Sequence, residues 1–349
     1  MKATKVIPIS NWPEYDQRSW NIALAGGDIF DNQGPGAHWS AGSRRSIATG
    51  YGRWIGYLRQ TRSNSLALDP ADRLTPDRFR QYVEYLQPNL TTAGLFNYVK
   101  HLYDAIRVMA PECDWRWLKE AVWKLASRVE RPWKRPRMVD ADRLLCLGLD
   151  LMDKASRVSA ERPLNRAVRY RDGLIIALLA ARPLRRRNLT AIRIGRNLLK
   201  VGDTYVLVFA ANETKNHQSL EFSIPEIIAP YLNRYLADVR CCFPQTNRHD
   251  GLWASAKGRP MTPEAIYERV CLRTREEFGH TINPHLFRDC AATTIAIRDP
   301  KHVMVARDLL GHSRLDMTER YYNQAQSIEV SRQYQQTVLA LRRESEQNG

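Results

Sequence analysis

Asn283-Pro284-His285-Leu286-Phe287-Arg288 opens the stretch on which the reading of this chain turns, and Leu309-Leu310-Gly311-His312-Ser313 and then Tyr321 complete it. An asparagine side chain accepts from the free N–H groups of a helix start, and proline at the first helical position gives up no hydrogen bond. A helix is therefore expected from Pro284. His285 and Arg288, three residues apart, then share one face near its N-terminus, where free N–H groups and the helix dipole already favour an anion. A phosphate fits such a place. Leu309-Leu310 reads as a helix end, Gly311 as its left-handed cap and His312 as the residue just beyond. Asp316 and Glu319 resemble a capping box that opens a short helix carrying Tyr321.

Before this stretch the hydrophobic period shortens. Tyr205–Phe209 and Leu220–Ile224, separated by turn-rich residues 212–218, predict a small antiparallel sheet. Helical spacing precedes it, through Leu144, Leu147 and Leu149 and again through Leu174, Ile175, Leu178 and Leu179. Earlier still, four amphipathic helices are expected with no convincing strand. Ile47, Tyr51, Trp54, Ile55 and Leu58 stripe the first, and Thr75-Pro76 starts the second, with Phe79, Tyr82, Val83 and Leu86. The others run through Leu95–Ile106 and Trp117–Leu125. Between the two regions, Glu130-Arg-Pro-Trp-Lys-Arg-Pro-Arg137 is stiffened by two prolines and densely cationic, as a linker beside a polyanion or in solvent would be. The fold class expected is mainly α with a small antiparallel β-sheet. Its parts are an N-terminal extension (1–37), a helical domain (38–130), a basic linker (131–138) and an α+β domain with a C-terminal helical tail (139–349). Whether residues 1–37 bind separate sites or brace the helical domain is left open.

The 349 residues carry 53 basic and 37 acidic side chains, a net charge of +16. Arginine forks onto phosphate oxygens better than lysine, so a polyanion is the natural partner, with a merely solvated basic surface as the alternative. The six cysteines form no CxxC pair and no zinc-type spacing, which predicts reduced thiols. No apolar run approaches the roughly 18 to 20 residues of a membrane span and no signal-peptide pattern opens the chain, so a soluble, cytoplasmic protein is expected. No clustered carboxylates suited to a two-metal nuclease stand among the candidate residues, and no metal or cofactor is expected.

His285-x-x-Arg288, then Leu310-Gly311-His312, then Tyr321 nine residues after that histidine, resembles the signature of the tyrosine recombinases, the phage integrase family. The resemblance runs back to about Val139. It implies an α-helical core-binding domain followed by an α+β catalytic domain. It also implies a catalytic set of Arg185, Lys215, His285, Arg288, His312 and Tyr321. Arg185 follows an apolar helix, as the family's first arginine does, although Pro183 replaces the usual glycine and Asn188 the usual acidic residue. Arg186 and Arg187 adjoin it. Lys215 lies between the two clearest strands, with Lys200 one strand earlier as its rival. Tyr322 is the rival nucleophile, but neighbouring helical side chains point about 100° apart.

The resemblance further implies a site-specific recombinase that cleaves and rejoins double-stranded DNA through a 3′-phosphotyrosine, without metal or ATP. Such an enzyme works as a homo-tetramer on two duplexes, with accessory DNA-bending proteins in some systems and a C-terminal helix docked in cis or in trans. Candidate DNA contacts are Arg44, Arg45, Arg131, Lys134, Arg135 and Arg137. A helix begun by Thr262-Pro263 carries Arg269, Arg273 and Arg275, which approach DNA or face solvent. The alternatives are a type IB topoisomerase-like enzyme and a catalytically inactive DNA-binding homologue.

Overall fold

The structure is a computed structural model that describes residues 5–28, 32–130, 137–157, 161–214 and 218–298, together with position 335. The chain divides into two compact units, Met1–Pro132 and Trp133–Gly349.

The described part of the first unit is helical: α1 (Glu14–Leu24), α2 (Ala41–Thr61), α3 (Pro70–Arg73), α4 (Pro76–Leu86), α5 (Thr92–Met109) and α6 (Arg116–Ser127). Short hydroxyl side chains start three of these helices. Ser40, Thr75 and Thr91 accept from the backbone N–H groups of Ser43, Arg78 and Gly94 at 3.2, 3.3 and 3.1 Å. The apolar stripe of α2 buries Tyr51, Trp54, Ile55 and Leu58 completely, in one cluster with Val99, Leu102 and Ile106 of α5. The two helices approach so closely that a Cβ on Gly50 would lie 2.4 Å from the His101 Cβ.

Residues of the N-terminal stretch belong to the same core. Ile7, Trp12, Trp20 and Ala23 are buried in it, and Trp12 meets Trp20 and Tyr51 edge-on at 5.7 and 4.9 Å. Asp16 is fully buried. Its Oδ1 accepts from Arg73 Nη1 at 2.6 Å and from the Tyr51 hydroxyl at 2.7 Å. Burial, and then the neighbouring Asp16 carboxylate, hold the Tyr51 phenol well above its ordinary pKa.

The second unit contains α7 (Ala141–Arg157), α8 (Pro163–Ala181), α9 (Arg186–Thr190), β1 (Leu198–Val201), β2 (Thr204–Phe209), β3 (Leu220–Ser223), α10 (Ala229–Arg234), α11 (Pro263–Phe278) and α12 (Pro284–Arg298). The strands form one antiparallel sheet in the order β1-β2-β3, with Leu207 opposite Leu198 on one side and Phe222 on the other. The mainly helical chain with a small antiparallel sheet is thus present as expected. Leu207 and Phe209 alternate inward along β2 to join the buried cluster built on α8. Helices α7 and α8 cross where two glycines meet. A Cβ on Gly148 would stand 2.6 Å from the Ala177 amide nitrogen, and one on Gly173 would stand 2.6 Å from the Gly148 carbonyl oxygen.

Helix α11 is fastened to α8 by charge. Asp172, 1% exposed, accepts from the adjacent Arg171 at 2.7 Å, from Arg269 at 2.6 Å and from Arg273 at 3.1 Å. Arg171 is itself buried and spends another donor on the Ala254 carbonyl at 2.6 Å. Among the described residues no helix is long and apolar enough to cross a membrane.

Candidate active site

Helix α8 ends because Arg182 precedes a proline, which disfavours the helical region for that residue. Arg182 adopts φ −138° and ψ 93°. The chain then turns through Pro183 and Leu184, both buried, and restarts at α9 with Arg185 as its extended N-cap residue. Leu184 and the fully buried Leu189 plug both ends of this segment into the core, and the Trp253 indole donates to the Leu189 carbonyl at 2.9 Å. Arg185 is thereby presented from a short, tightly held turn.

The three adjoining arginines differ in environment. Arg185 is partly buried, and that burial pulls its guanidinium pKa down. Arg186 is exposed, 3.8 Å from Glu264 and over the Tyr267 ring at 5.7 Å; Arg187 is exposed too.

The start of α12 follows its local chemistry. The Asn283 side chain accepts from the His285 and Leu286 amides, each at 3.0 Å, and Pro284 takes the first helical position. His285 is exposed one turn before the buried Arg288. The Arg288 guanidinium donates through Nη1 to the Pro183 carbonyl at 2.5 Å. Arg288 is therefore anchored on the very turn that presents Arg185, although 105 residues separate it from Pro183.

Lys215, His312 and Tyr321, and with them Tyr322, lie outside the described residues, as do Arg131, Lys134 and Arg135. Thr214, immediately before Lys215, is buried and closes the base of the β2–β3 connection: its hydroxyl donates to the Gln218 carbonyl at 2.7 Å and accepts from the Gln218 amide at 3.1 Å. The rival Lys200 is exposed on β1.

Among the other expected DNA contacts, Arg45 is exposed. Arg44 is half-buried and donates to the Trp39 and Ala37 carbonyls at 3.0 and 2.6 Å. Arg137 reaches the Thr281 carbonyl at 3.1 Å. Arg269 and Arg273 converge on Asp172, and Arg275 donates to the Thr281 hydroxyl at 3.1 Å.

Asn188, noted in the sequence only as a departure from an acidic residue, is 4% exposed, and its Nδ2 has no hydrogen-bond partner among the described residues. It stands three residues after Arg185.

A profile of the phage integrase family matches residues 152–327. The chain is 27% identical over 153 residues to the tyrosine recombinase XerD of Staphylococcus haemolyticus (strain JCSC1435), covering 44% of this chain and 50% of that protein. It is 32% identical over 72 residues to the tyrosine recombinase XerC of Pseudomonas fluorescens (strain Pf0-1), covering 21% and 24%. The chain thus matches half, or less, of the length of these relatives. In three dimensions it resembles the XerH site-specific recombinase bound to difH substrate in a pre-cleavage complex, with TM-score 0.55 and 16% identity over 80% of this chain and 76% of that one. The XerH complex with a palindromic difH substrate after cleavage gives TM-score 0.59 at 16% identity, over 82% and 78%. At such identity the likeness is one of fold. By the span of the family match, this chain belongs to the phage integrase family, the tyrosine recombinases.

Proposed function

We propose that this protein is a site-specific DNA recombinase that cuts and rejoins duplex DNA through a covalent 3′-phosphotyrosine at Tyr321, without metal or ATP. The observation that carries the reading is the hydrogen bond from Arg288 to the Pro183 carbonyl, which ties the His285–Arg288 helix start to the turn bearing Arg185.

Transfer of a phosphodiester to a phenol passes through five-coordinate phosphorus whose non-bridging oxygens gain negative charge. Fixed positive donors lower that barrier because they are already oriented when the charge develops. Arg185 and Arg288 supply the guanidinium forks, and His285 and His312 add hydrogen bonds. A free tyrosine has a pKa of about 10, so a cationic pocket favours phenolate character on Tyr321 as it attacks. Lys215 protonates the departing 5′ oxygen as general acid. The phosphotyrosine bond conserves the energy of the diester, and a 5′ hydroxyl from another strand reverses the step to join new partners. The helical first unit adds its own grip on the duplex, and four copies assemble on two duplexes. Phosphate contacts by the basic linker give affinity with a steep salt dependence but carry no sequence information.

The test uses a nicked suicide DNA substrate carrying the protein's own recognition site, found first by sequencing the DNA it selects. A covalent protein–DNA adduct is expected with the native chain and none with Tyr321→Phe. An adduct that survives in Tyr321→Phe, or that never forms with the native chain, would sink the proposal.

A further inference from the structure

After α10 the helix widens into a π turn at Tyr235–Val239 and then tightens into a 3₁₀ turn at Arg240–Cys242. The last turn carries two neighbouring thiols. Cys241 Sγ donates to the Asp238 carbonyl at 3.1 Å, and Cys242 Sγ donates to the same oxygen at 3.4 Å. Neighbouring helical side chains ordinarily diverge, but reaching back to one shared acceptor brings both sulfurs to one side. Both cysteines are exposed. Beside Cys242 opens a cavity of about 150 Å³, whose walls include Pro163, Ala167, Tyr170 and Val239 together with Arg166 and Arg234.

We propose that Cys241 and Cys242 form a vicinal dithiol site that chelates a trivalent arylarsenic centre, with the aryl group lodged in the adjoining cavity. The two sulfurs displace the oxygen of an arylarsenoxide: two As–S bonds form, the As–O double bond breaks, and both thiol protons leave with that oxygen as water. Arsenic stays trivalent, so no oxidant is needed. A disulfide between the same residues is a poorer outcome, because its Cβ atoms must approach to about 3.5–4.5 Å and a helical turn would have to unwind. Chelation has the opposite advantage: once one As–S bond exists, the second closes within the molecule at high effective concentration.

The experiment treats the full-length protein with one equivalent of phenylarsine oxide, adds excess 2-mercaptoethanol and reads the intact mass. One arsenical per chain is expected to survive the monothiol and to be removed by 2,3-dimercaptopropanol. Cys241→Ser and Cys242→Ser should each weaken retention about 100-fold or more, the gain expected from a second tethered contact. Cys146→Ser, at an exposed thiol on α7, should retain the adduct. Monothiol-resistant binding in either of the first two variants, or its absence from the native chain, overturns the proposal.

Discussion

Arg288 and Pro183 share a hydrogen bond of 2.5 Å that joins the first turns of α12 to the turn after α8. Arg288 is 9% exposed and Pro183 is buried, so the carbonyl has no ready replacement in solvent. One of the five guanidinium donors is committed to the backbone, which leaves the fork's orientation fixed before any phosphate arrives. Proline at 183 suits this task, since it stiffens the turn whose carbonyl Arg288 uses.

Removing that fork should separate catalysis from folding. Arg288→Lys retains a charge but loses the planar fork, and adduct formation is expected to slow about 10²–10³-fold, the usual effect of losing one preorganised donor. Arg288→Ala additionally strands the Pro183 carbonyl and should cost about 1–3 kcal/mol of stability. Single-turnover cleavage of a nicked substrate and urea unfolding measure the two effects. Equal cleavage rates for Arg288→Lys and the native chain would exclude the assigned role.

Adjacent arginines should give opposite results. Arg185 is half-buried on the clamped turn, whereas Arg186 and Arg187 are exposed. Arg185→Ala is expected to lower adduct formation about 10²–10³-fold with little change in DNA affinity. Arg186→Ala should instead leave the cleavage step within a few-fold and act, if at all, on salt-dependent binding. If cleavage follows Arg186 and not Arg185, the chosen arginine is wrong.

Local chemistry explains what could be read from the sequence. The start of α12 was legible because Asn283, Pro284, His285 and Arg288 act within two turns, and the small sheet because β2 alternates with period two. Pairings across long separations were not. Nothing in the sequence tied Asp172 to Arg269 and Arg273, 97 and 101 residues away, so α11 read equally well as a DNA-facing or solvated helix. Nor did the turn-rich first 37 residues reveal that Trp12 and Trp20 would meet Tyr51 and Trp39, because two tryptophans on a short segment leave no periodic signature. The anchor between Arg288 and Pro183 belongs to the same class: the residue types were visible, their meeting was not.

Asp172 is expected to be far more important for stability than for DNA binding. Asp172→Ala leaves Arg171, 2% exposed, without its carboxylate and loosens α11 from α8, a change expected to cost about 3–5 kcal/mol. Arg269→Met, at the more exposed edge, should cost less than about 1 kcal/mol. Denaturant unfolding monitored by circular dichroism distinguishes them, and near-equal losses would mean that the network is not held together by the buried pair.

Two glycine-to-alanine changes should move stability in opposite directions although both lie in helices. At Gly148 the new methyl would stand 2.6 Å from a backbone nitrogen of α8 and 2.8 Å from the Gly173 carbonyl oxygen. Backbone cannot swing aside, so overpacking of about 1–3 kcal/mol should exceed the gain of up to about 1 kcal/mol in helix propensity. At Gly42, in the first turn of α2, the nearest atom is the Ser40 hydroxyl at 3.8 Å, and the same change should stabilise by about 0.4–1 kcal/mol. Calorimetry of each variant gives the sign directly.

The N-terminal stretch should prove indispensable to the first unit. Asp16 Oδ1 serves both Arg73 and Tyr51 inside a core that excludes water, and Arg73 is only 1% exposed. Asp16→Ala removes the partner of a buried cation and is expected to cost about 3–5 kcal/mol, whereas replacing all three members with apolar residues, Asp16→Leu with Arg73→Met and Tyr51→Phe, should cost much less, because no buried charge or donor is left without its partner. Deleting residues 1–24 goes further, since it uncovers the surface against which Ile7, Trp12, Trp20 and Ala23 pack. That protein should lose hydrogen-exchange protection throughout α2 and α5 while α8 keeps its own. Undiminished protection of α2 in the truncated chain would show that the segment is dispensable for the fold and leave DNA binding as its reason for being there.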